Sequence, residues 1–433
     1  MKLRPFELGL IVLFALLFLV ALVLLRTYEP KADPNAVDLN VTIWGTLPAD
    51  TFEQVLNEVG DQDSAYRLVS YRYVDPNDFD ETFLNALADQ KPPDVVLMPH
   101  EKLVEHRSRL QAIPYESFPE RDFRSKYIDG ASIFTMRDGV YAFPLMVDPL
   151  VMYWNRDVFS DKNFLTPPKT WEEIVTVLAP TITVRDFNRS VQLSTMAMGE
   201  YENIKNAFPI LSMLLLQAGS NFVTEDENNQ YEILIDDTSE GVSARPLEKV
   251  LGFYTGFSNV NNSLYNWNRT LGLDQDRFLS EDLAIYFGYG SEGRGFETKN
   301  PNLSFDIAEV PQGSGVTNKR TYGTFYGFFV PKTANNKPGA LRVIQTLTQD
   351  QYVKRFADSY NMAPLQRNLI AVGSNDVYGR IIYQSAPNSR GWLNPDLDRL
   401  SELLQDEIDD VNSNRDSVDN TADDIATRLK QIY

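Results

Sequence analysis

Strand-like and helix-like patterns alternate in the first hundred residues, and this alternation constrains the fold more than any other feature. β-branched residues predict a first strand over 41–45, and apolar residues at helical spacing predict a helix over 51–59. A second strand is predicted over 66–74, a second helix over 79–88 and a short buried strand over 94–98. Because this order favours parallel pairing with right-handed crossovers, the sequence predicts an α/β protein with a mostly parallel sheet.

Two segments at the ends of predicted strands, Trp44-Gly45-Thr46 and Met98-Pro99-His100, are candidates for a binding edge. Ligands on parallel sheets bind outside the carboxyl ends of the strands. We therefore expect Trp44 and His100 to lie beside a ligand. The alternative interpretations are a core side chain for Trp44 and a polar loop residue for His100.

An apolar and aromatic run begins after the polar turn Asp138-Gly139 and ends at Phe159. Because Pro144 and Pro149 donate no backbone hydrogen bond, neither suits the centre of a sheet. We expect a short strand, a bend and a second strand from Leu150 to Trp154. Taken alone, the run is a buried β-turn-β segment of an unspecified α/β protein.

Composition narrows the possible functions. The chain has 433 residues, enough for two domains or lobes, each with its own core. Its net charge of −20 would repel a phosphate backbone, which disfavours nucleic-acid binding. It has no cysteine, two histidines, and no nucleotide-binding, serine-hydrolase or zinc-protease motif. We therefore expect no catalytic residue, no cofactor and no metal.

The amino terminus resembles a membrane anchor. Residues 8–25 are apolar and uncharged, and about 18 residues at ~1.5 Å each cross most of a ~30 Å hydrocarbon core. No small-residue cleavage site follows, so we expect an uncleaved anchor over 1–26 rather than a removed signal peptide. Residues 27–37 are predicted to be a tether, which places the acidic bulk outside the cytoplasm.

Three motifs in order resemble the family of bacterial extracellular solute-binding proteins of ATP-binding-cassette (ABC) transporters that includes maltose-binding protein. The first is the run after Asp138, where the family positions are held by Gly139, Tyr141, Pro144, Trp154, Asn155 and Asp157. The second is Pro167-Pro168-Lys169-Thr170-Trp171-Glu172-Glu173, in which Thr170 and Glu173 form a helix capping box. The third is the glycine-rich strand from Tyr322 to Lys332. The resemblance runs from about Val41 to the end of the chain.

The resemblance implies a two-lobed periplasmic-binding-protein-like fold of type II. Lobe 1 is expected over 38–148 plus 332–381, and lobe 2 over 149–331 plus 382–433. The hinge is expected at Met146, Val147, Pro149 and Pro331. The chain departs mildly from the family where Ala142 replaces a glycine and Arg156 a lysine. It departs more strongly where Glu281 and Tyr289 replace glycines and Ser291 replaces an aromatic residue. Tyr289 is the nearest substitute for that aromatic residue.

The resemblance also implies capture of a small solute, most simply a sugar or oligosaccharide, for an ABC permease in the same membrane. Its expected contacts are Trp44, His100, Asp148, Tyr289, Phe325, Tyr326 and Trp392. Since side chains alternate along a strand, only one of Phe325 and Tyr326 is expected to face a given surface. Asp148 is alternatively a hinge carboxylate bonded to backbone. Oligopeptides, polyamines and sugar phosphates stay open as solutes.

Two other functions stay open at this point. One is a non-transport sensor or envelope scaffold that keeps the same fold, for which the serine at position 291 would be suitable. The other is an extracellular hydrolase, which requires an acid/base pair that the sequence does not show.

Overall fold

The computed structural model describes residues 37–433 except 229 and 237–244, together with residues 9, 13, 14, 17 and 18. Most of the predicted anchor and tether therefore lies outside the described residues. Within the described part of the chain, no helix is both long and apolar enough to cross a membrane. The chain divides into two compact units, Met1–Asp38 and Leu39–Tyr433, and the description below concerns the second.

The strands of this unit, in chain order, are β1 (Thr42–Gly45), β2 (Ser70–Tyr73), β3 (Val95–Pro99), β4 (Thr135–Met136), β5 (Gly139–Val140), β6 (Phe143–Asn155), β7 (Val184–Arg185), β8 (Val191–Met196), β9 (Val223–Glu225), β10 (Tyr231–Ile233), β11 (Leu283–Tyr289), β12 (Phe305–Ala308), β13 (Thr321–Phe329), β14 (Ala363–Pro364) and β15 (Ser389–Arg390).

The α-helices are α1 (Ala49–Gln62), α2 (Phe79–Ala88), α3 (Leu103–His106), α4 (Glu120–Lys126), α5 (Arg156–Asp161), α6 (Trp171–Glu173), α7 (Ala179–Ile182), α8 (Ala207–Gln217), α9 (Pro246–Thr255), α10 (Asp274–Leu279), α11 (Gly293–Lys299), α12 (Lys337–Leu347), α13 (Asp350–Tyr360), α14 (Arg367–Val372), α15 (Val377–Ser385), α16 (Leu397–Asn412) and α17 (Val418–Ile432).

The first three strands confirm the predicted parallel arrangement, since β1 pairs in parallel with both β2 and β3. The prediction of a strand over the whole of 66–74 is wrong in its first half. Ser64–Leu68 is a 3₁₀-helix, and the Asp63 carboxylate accepts a hydrogen bond from the Ala65 amide at 3.0 Å. This local bond favours the turn, and the strand begins only at Ser70.

The predicted bend within the proline-containing run is also wrong, because β6 is one uninterrupted strand of 13 residues. Pro144 lies opposite Gly327 and Pro149 lies opposite Gly323, both on β13. Neither proline has a register partner on the other side of β6 in the described sheet. The missing proline donors therefore do not interrupt a ladder at either position.

The strand order β2-β1-β3-β13-β6-β11-β8-β7 divides into two groups that meet at β6. The first half of β6 pairs with β14 through Met146 and Val147, and its second half pairs with β11 from Leu150 onward. β13 runs antiparallel to the first half of β6, from Phe143 to Pro149. The two strands thus join an amino-terminal group of strands to a second group, which is a two-lobed α/β arrangement.

Two hydrophobic cores fill the unit. A smaller core lies between the sheet and helices α1, α12 and α13, and it includes Ile43, Phe52, Val343 and Phe356. A larger core lies on the other face of β1 and β3 and continues past β6 into the second group of strands. Because the larger core is continuous, part of the region between the two groups of strands is packed protein interior.

Candidate functional site

A cavity of about 540 Å³ lies between the two groups of strands. Its lining combines loops that follow β1 and β11, the middle of β6 and β13, and the end of α13. The lining residues are Leu47, Pro48, Asp148, Lys205, Asn206, Tyr289, Ser291, Glu292, Thr324, Tyr326, Ser359, Tyr360, Asn361 and Met362. The cavity, called the cleft below, therefore opens at the carboxyl ends of β1 and β11, where α/β sheets bind ligands.

Three of the predicted contact residues, Asp148, Tyr289 and Tyr326, come together in the cleft. Asp148 lies directly opposite Thr324 in the β6–β13 register. Tyr326 follows two residues later on β13, so its side chain emerges on the same face as that of Thr324. Phe325 points the other way and is fully buried in the larger core.

The Asp148 carboxyl is buried, with 5% of the residue exposed. Its Oδ1 accepts a hydrogen bond from the Ser291 amide at 3.1 Å. The pKa of Asp148 is raised to about 7, because burial and, to a smaller extent, the nearby Glu292 carboxylate outweigh the hydrogen bonds from Ser291. Near neutral pH this group therefore exists in both protonation states, so it can accept or donate a hydrogen bond.

Glu292 organises one wall of the cleft. Its Oε2 accepts from Lys205 Nζ at 2.8 Å and from the Tyr286 hydroxyl at 2.8 Å. Its Oε1 accepts from Asn206 Nδ2 at 3.0 Å and from the Tyr289 amide at 3.0 Å. These bonds fix the turn after β11, which carries Tyr289 and Ser291 into the cleft.

A second buried carboxylate, Glu101, lies behind Thr324. Glu101 Oε1 accepts from the Thr324 hydroxyl at 2.8 Å and from the Tyr322 hydroxyl at 3.0 Å. The Thr324 and Tyr289 hydroxyls are hydrogen-bonded at 3.1 Å. Burial acts to raise the pKa of Glu101, but the adjacent His100 and the hydrogen bond from Thr324 outweigh it, so the pKa lies below its usual value. The ionised Glu101 carboxylate therefore fixes the Thr324 and Tyr322 hydroxyls beneath the cleft.

His100 is fully buried and takes part in backbone support. Its Nδ1 lies 3.1 Å from the Phe325 amide, and its Nε2 accepts from the Trp392 amide at 3.2 Å. The imidazole also packs edge-on against the Phe325 ring, with 5.6 Å between centroids. His100 is therefore placed to hold β13 and the Trp392 segment together, and it is not among the cleft-lining residues.

Trp392 and Trp44 also lie outside the cleft lining. The Trp392 ring stacks between Phe222 at 4.2 Å and Phe208 at 5.5 Å, and only 1% of the residue is exposed. Trp392 Nε1 donates to the Tyr433 hydroxyl at 2.8 Å. Trp44 is buried beneath the Arg72 guanidinium, which lies 4.4 Å from its ring centroid.

Several cleft residues were not predicted from the sequence, chiefly Glu292, Asn206, Lys205 and Tyr360. A signal existed for Glu292, since a glutamate three residues after the residue that precedes a helical turn, here Tyr289, is typical of a capping box. Tyr360 had none, because its hydroxyl bonds to the Pro48 carbonyl at 2.7 Å across more than three hundred residues. Glu281 has a φ of 65°, a left-handed conformation that glycine adopts more readily. This conformation explains why glycine is usual at this position.

One group of side chains in the described part of the chain has metal-ligand geometry: Asp80, Glu105 and His106. It lies away from the cleft. His106 Nε2 is 2.8 Å from Asp80 Oδ1, and the Lys102 ammonium contacts the other Asp80 oxygen. An ammonium in that position occupies the place of a cation, so the group is an internal ion-pair cluster.

The comparisons with known proteins agree with this fold. Residues 69–354 match the family described as bacterial extracellular solute-binding protein. A curated relative, a binding protein by name from Brucella abortus (strain 2308), is 21% identical over 265 residues. That alignment covers 59% of this chain and 58% of the relative, so the match spans little more than half the length of the relative.

Solved structures of the same architecture are similar over nearly the whole chain. A cyclo/maltodextrin-binding protein complexed with maltotetraose superposes with a TM-score of 0.71 at 14% identity, covering 93% of this chain and 98% of that one. The sugar-binding protein MalE of Xanthomonas citri gives 0.71 at 18% identity, covering 90% and 96%. A maltotriose-binding protein of Thermus thermophilus gives 0.64 at 16% identity, covering 90% and 99%. These structures show a shared two-lobed fold, and the family match extends over well more than half of the sequence. The chain belongs to the family of bacterial extracellular solute-binding proteins.

Proposed function

We propose that this chain captures a sugar or oligosaccharide in the cleft and presents it to an ABC importer. The observation that carries the proposal is the convergence of Asp148, Tyr289 and Tyr326 in the cleft between the two groups of strands. The family match supports solute binding rather than catalysis. The relatives complexed with maltotetraose and maltotriose support a carbohydrate as the solute class.

The cleft has the chemistry that a sugar requires. Aromatic rings pack against the C–H faces of a sugar, and carboxyl or amide groups bond to its hydroxyls. Tyr289 and Tyr326 supply the rings, and Asp148 and Asn361 supply polar groups. Burial raises the pKa of both tyrosines, so their hydroxyls stay protonated and can donate hydrogen bonds.

Capture is proposed to involve closure of two lobes, over 38–148 plus 332–381 and over 149–331 plus 382–433. The β-sheet pairing of β6 supports this division, since it changes from β14 to β11 between Val147 and Leu150. Met146, Val147, Pro149 and Pro331 are the proposed hinge positions. A solute that contacts both lobes would shift the population towards the closed form.

We also propose that the protein is attached to the cell membrane. The apolar residues 8–25 would anchor the chain in the cell membrane, with residues 27–37 as a tether and the globular part outside the cytoplasm. Tethering would keep the solute-loaded protein close to a permease in the same membrane. The extracellular assignment of the family supports this location.

A second candidate function, a sensor or envelope scaffold, is favoured by the packing beside the cleft. Trp392 is enclosed by Phe208 and Phe222 and is no part of the cleft lining. Arg107 additionally contacts Glu225 and lies 3.3 Å from the Tyr231 hydroxyl, which fastens the β9–β10 hairpin to the amino-terminal group of strands. The contacts of Arg107 would restrict the opening of the lobes.

A thermal-unfolding screen of the purified full-length chain would test the proposal, with the protein's own tryptophan fluorescence as the signal. The panel would contain mono- and oligosaccharides, peptides, polyamines and phosphorylated sugars. A ligand that binds only the folded form at a hundredfold excess over Kd adds about 2.7 kcal/mol of stability.

We expect a rise in Tm with one class of sugar, lost in Tyr326→Ala and retained in Tyr378→Ala. Tyr378 is a matched control because it is also partly buried but lies outside the cleft, where its hydroxyl bonds to Glu297. Cooperative unfolding without a shift for any small molecule would contradict capture and favour the sensor or scaffold.

A further inference from the structure

The charges that face the cleft are unbalanced. Asp148 and Glu292 line it, and Glu101 lies directly behind Thr324. Lys205 is the only cationic side chain among the described lining residues, and its ammonium is bonded to Glu292 at 2.8 Å. One carboxyl group at the cleft surface is thus left without a cationic partner.

That group is Asp148. In the described part of the chain, no lysine, arginine or histidine forms an ion pair with it, and its polar neighbours are the Ser291 and Gly290 segment, Glu292, Thr324 and Tyr326. By contrast, Glu200 is a buried carboxylate away from the cleft, and it has Arg269 at 3.4 Å. A buried carboxylate is normally paired, because desolvation of an isolated charge is unfavourable.

The other cleft groups suit a cation. Tyr289, Tyr326 and Tyr360 present aromatic rings around the same cavity, and ring faces attract ammonium groups. Asn361 and Ser359 supply uncharged polar groups for neighbouring hydroxyls. An anionic solute would meet two carboxyl groups and no free ammonium among the described lining residues.

We propose that the preferred solute is an amine-bearing sugar whose ammonium group binds at Asp148, and that phosphorylated or acidic sugars are rejected. This inference rests on the proposed function of the cleft as a sugar site. The ammonium supplies the cationic partner that the protein itself does not place beside Asp148. The hydroxyls of the same molecule bond to the uncharged polar groups.

The test is calorimetric titration of the full-length protein with matched sugars that differ at one position. Each mono- or disaccharide would be used in its neutral form, its 2-amino and 6-amino forms, and its 6-phosphate form. Because hydrogen bonds to charged groups are about twice as strong as neutral ones, we expect one amino form to bind ~10-fold tighter than its neutral parent. The phosphate forms are expected not to bind.

Two variants locate the effect. Asp148→Asn should reduce the ratio of amino-form to neutral-form affinity to about one, and Glu200→Gln should leave the ratio unchanged. The wild-type protein provides a measurement that does not depend on a variant. Binding of the ammonium form should release protons, because Asp148 becomes ionised, and the observed heat should vary with the ionisation enthalpy of the buffer.

The outcomes separate this inference from the proposed function. Neutral sugars that bind with no preference for an amine would leave sugar capture standing and overturn the charge selection. An amine preference that persists in Asp148→Asn would also overturn it. The absence of binding by every sugar form would contradict both.

Discussion

The cleft and the packed region around Trp392 differ in how their polar and aromatic groups are satisfied. Around Trp392 the aromatic rings stack on one another, and the indole nitrogen has a protein partner in Tyr433. In the cleft the rings of Tyr289 and Tyr326 face a cavity, and Asp148 has no cationic partner in the described chain. The packed region is thus satisfied by its own contacts, whereas the cleft has groups that the proposed solute would contact.

The largest predicted effect concerns the packed region. Trp392→Ala should lower the free energy of unfolding by about 3–5 kcal/mol, because a fully buried ring between Phe208 and Phe222 leaves a cavity. Urea denaturation followed by circular dichroism would measure it. Tyr326→Ala, at the cleft, should cost clearly less. An equal loss for the two variants would remove the distinction between the regions.

The second effect has the opposite sign and concerns the cleft. Asp148 has a folded-state pKa of about 7, above that of an unfolded aspartate, so its contribution to stability declines as pH rises from about 4 to about 7. Asp148→Asn retains an acceptor for the Ser291 amide and removes this decline. We expect the variant to be more stable than wild type by about 2–4 kcal/mol above neutral pH and nearly equal to it at about pH 4.

Chemical unfolding at several pH values would measure the difference. A variant that is less stable than wild type at every pH would show that the ionised carboxylate is well satisfied in the folded protein. Asp148 would then be as well satisfied as the groups around Trp392, and the difference between the cleft and the packed region would not hold for this residue.

The smallest effect concerns Glu101, which lies between the two regions. Glu101→Gln removes charge-assisted hydrogen bonds from Thr324 and Tyr322 and should cost about 2 kcal/mol. Because the folded-state pKa is lowered, the stabilisation is present above the unfolded-state pKa and is lost as pH falls through the folded-state pKa. The stability of wild type and variant should therefore converge in acid. A constant difference down to acid unfolding would contradict the ionised state of Glu101.

More of the fold than of the cleft could be predicted from the sequence. Local patterns sufficed for the parallel strands around β1 and for helix α2, whose predicted bounds of 79–88 match the structure. The uninterrupted β6 was not predictable, because Pro144 and Pro149 lie at positions that have no register partner on the side of β6 away from β13. That placement depends on long-range register rather than on local sequence.

The cleft required tertiary information for the same reason. Alternation along β13 indicates that Phe325 and Tyr326 face opposite ways, but only the structure shows that Tyr326 is the one in the cleft. Trp392 has the residue type of a ligand contact, but it is enclosed by partners from two distant segments, Phe208 and Phe222. Residue type and position in a motif do not reveal such long-range packing.

Binding of a solute in the cleft would be observed in backbone hydrogen exchange of the full-length protein with and without the sugar that raises Tm the most. We predict slower exchange at residues 289–292 and 324–326 and in the loop at Leu47, because these segments approach the cavity from separate elements. Unchanged exchange at all three segments, with protection elsewhere on the molecule, would contradict it.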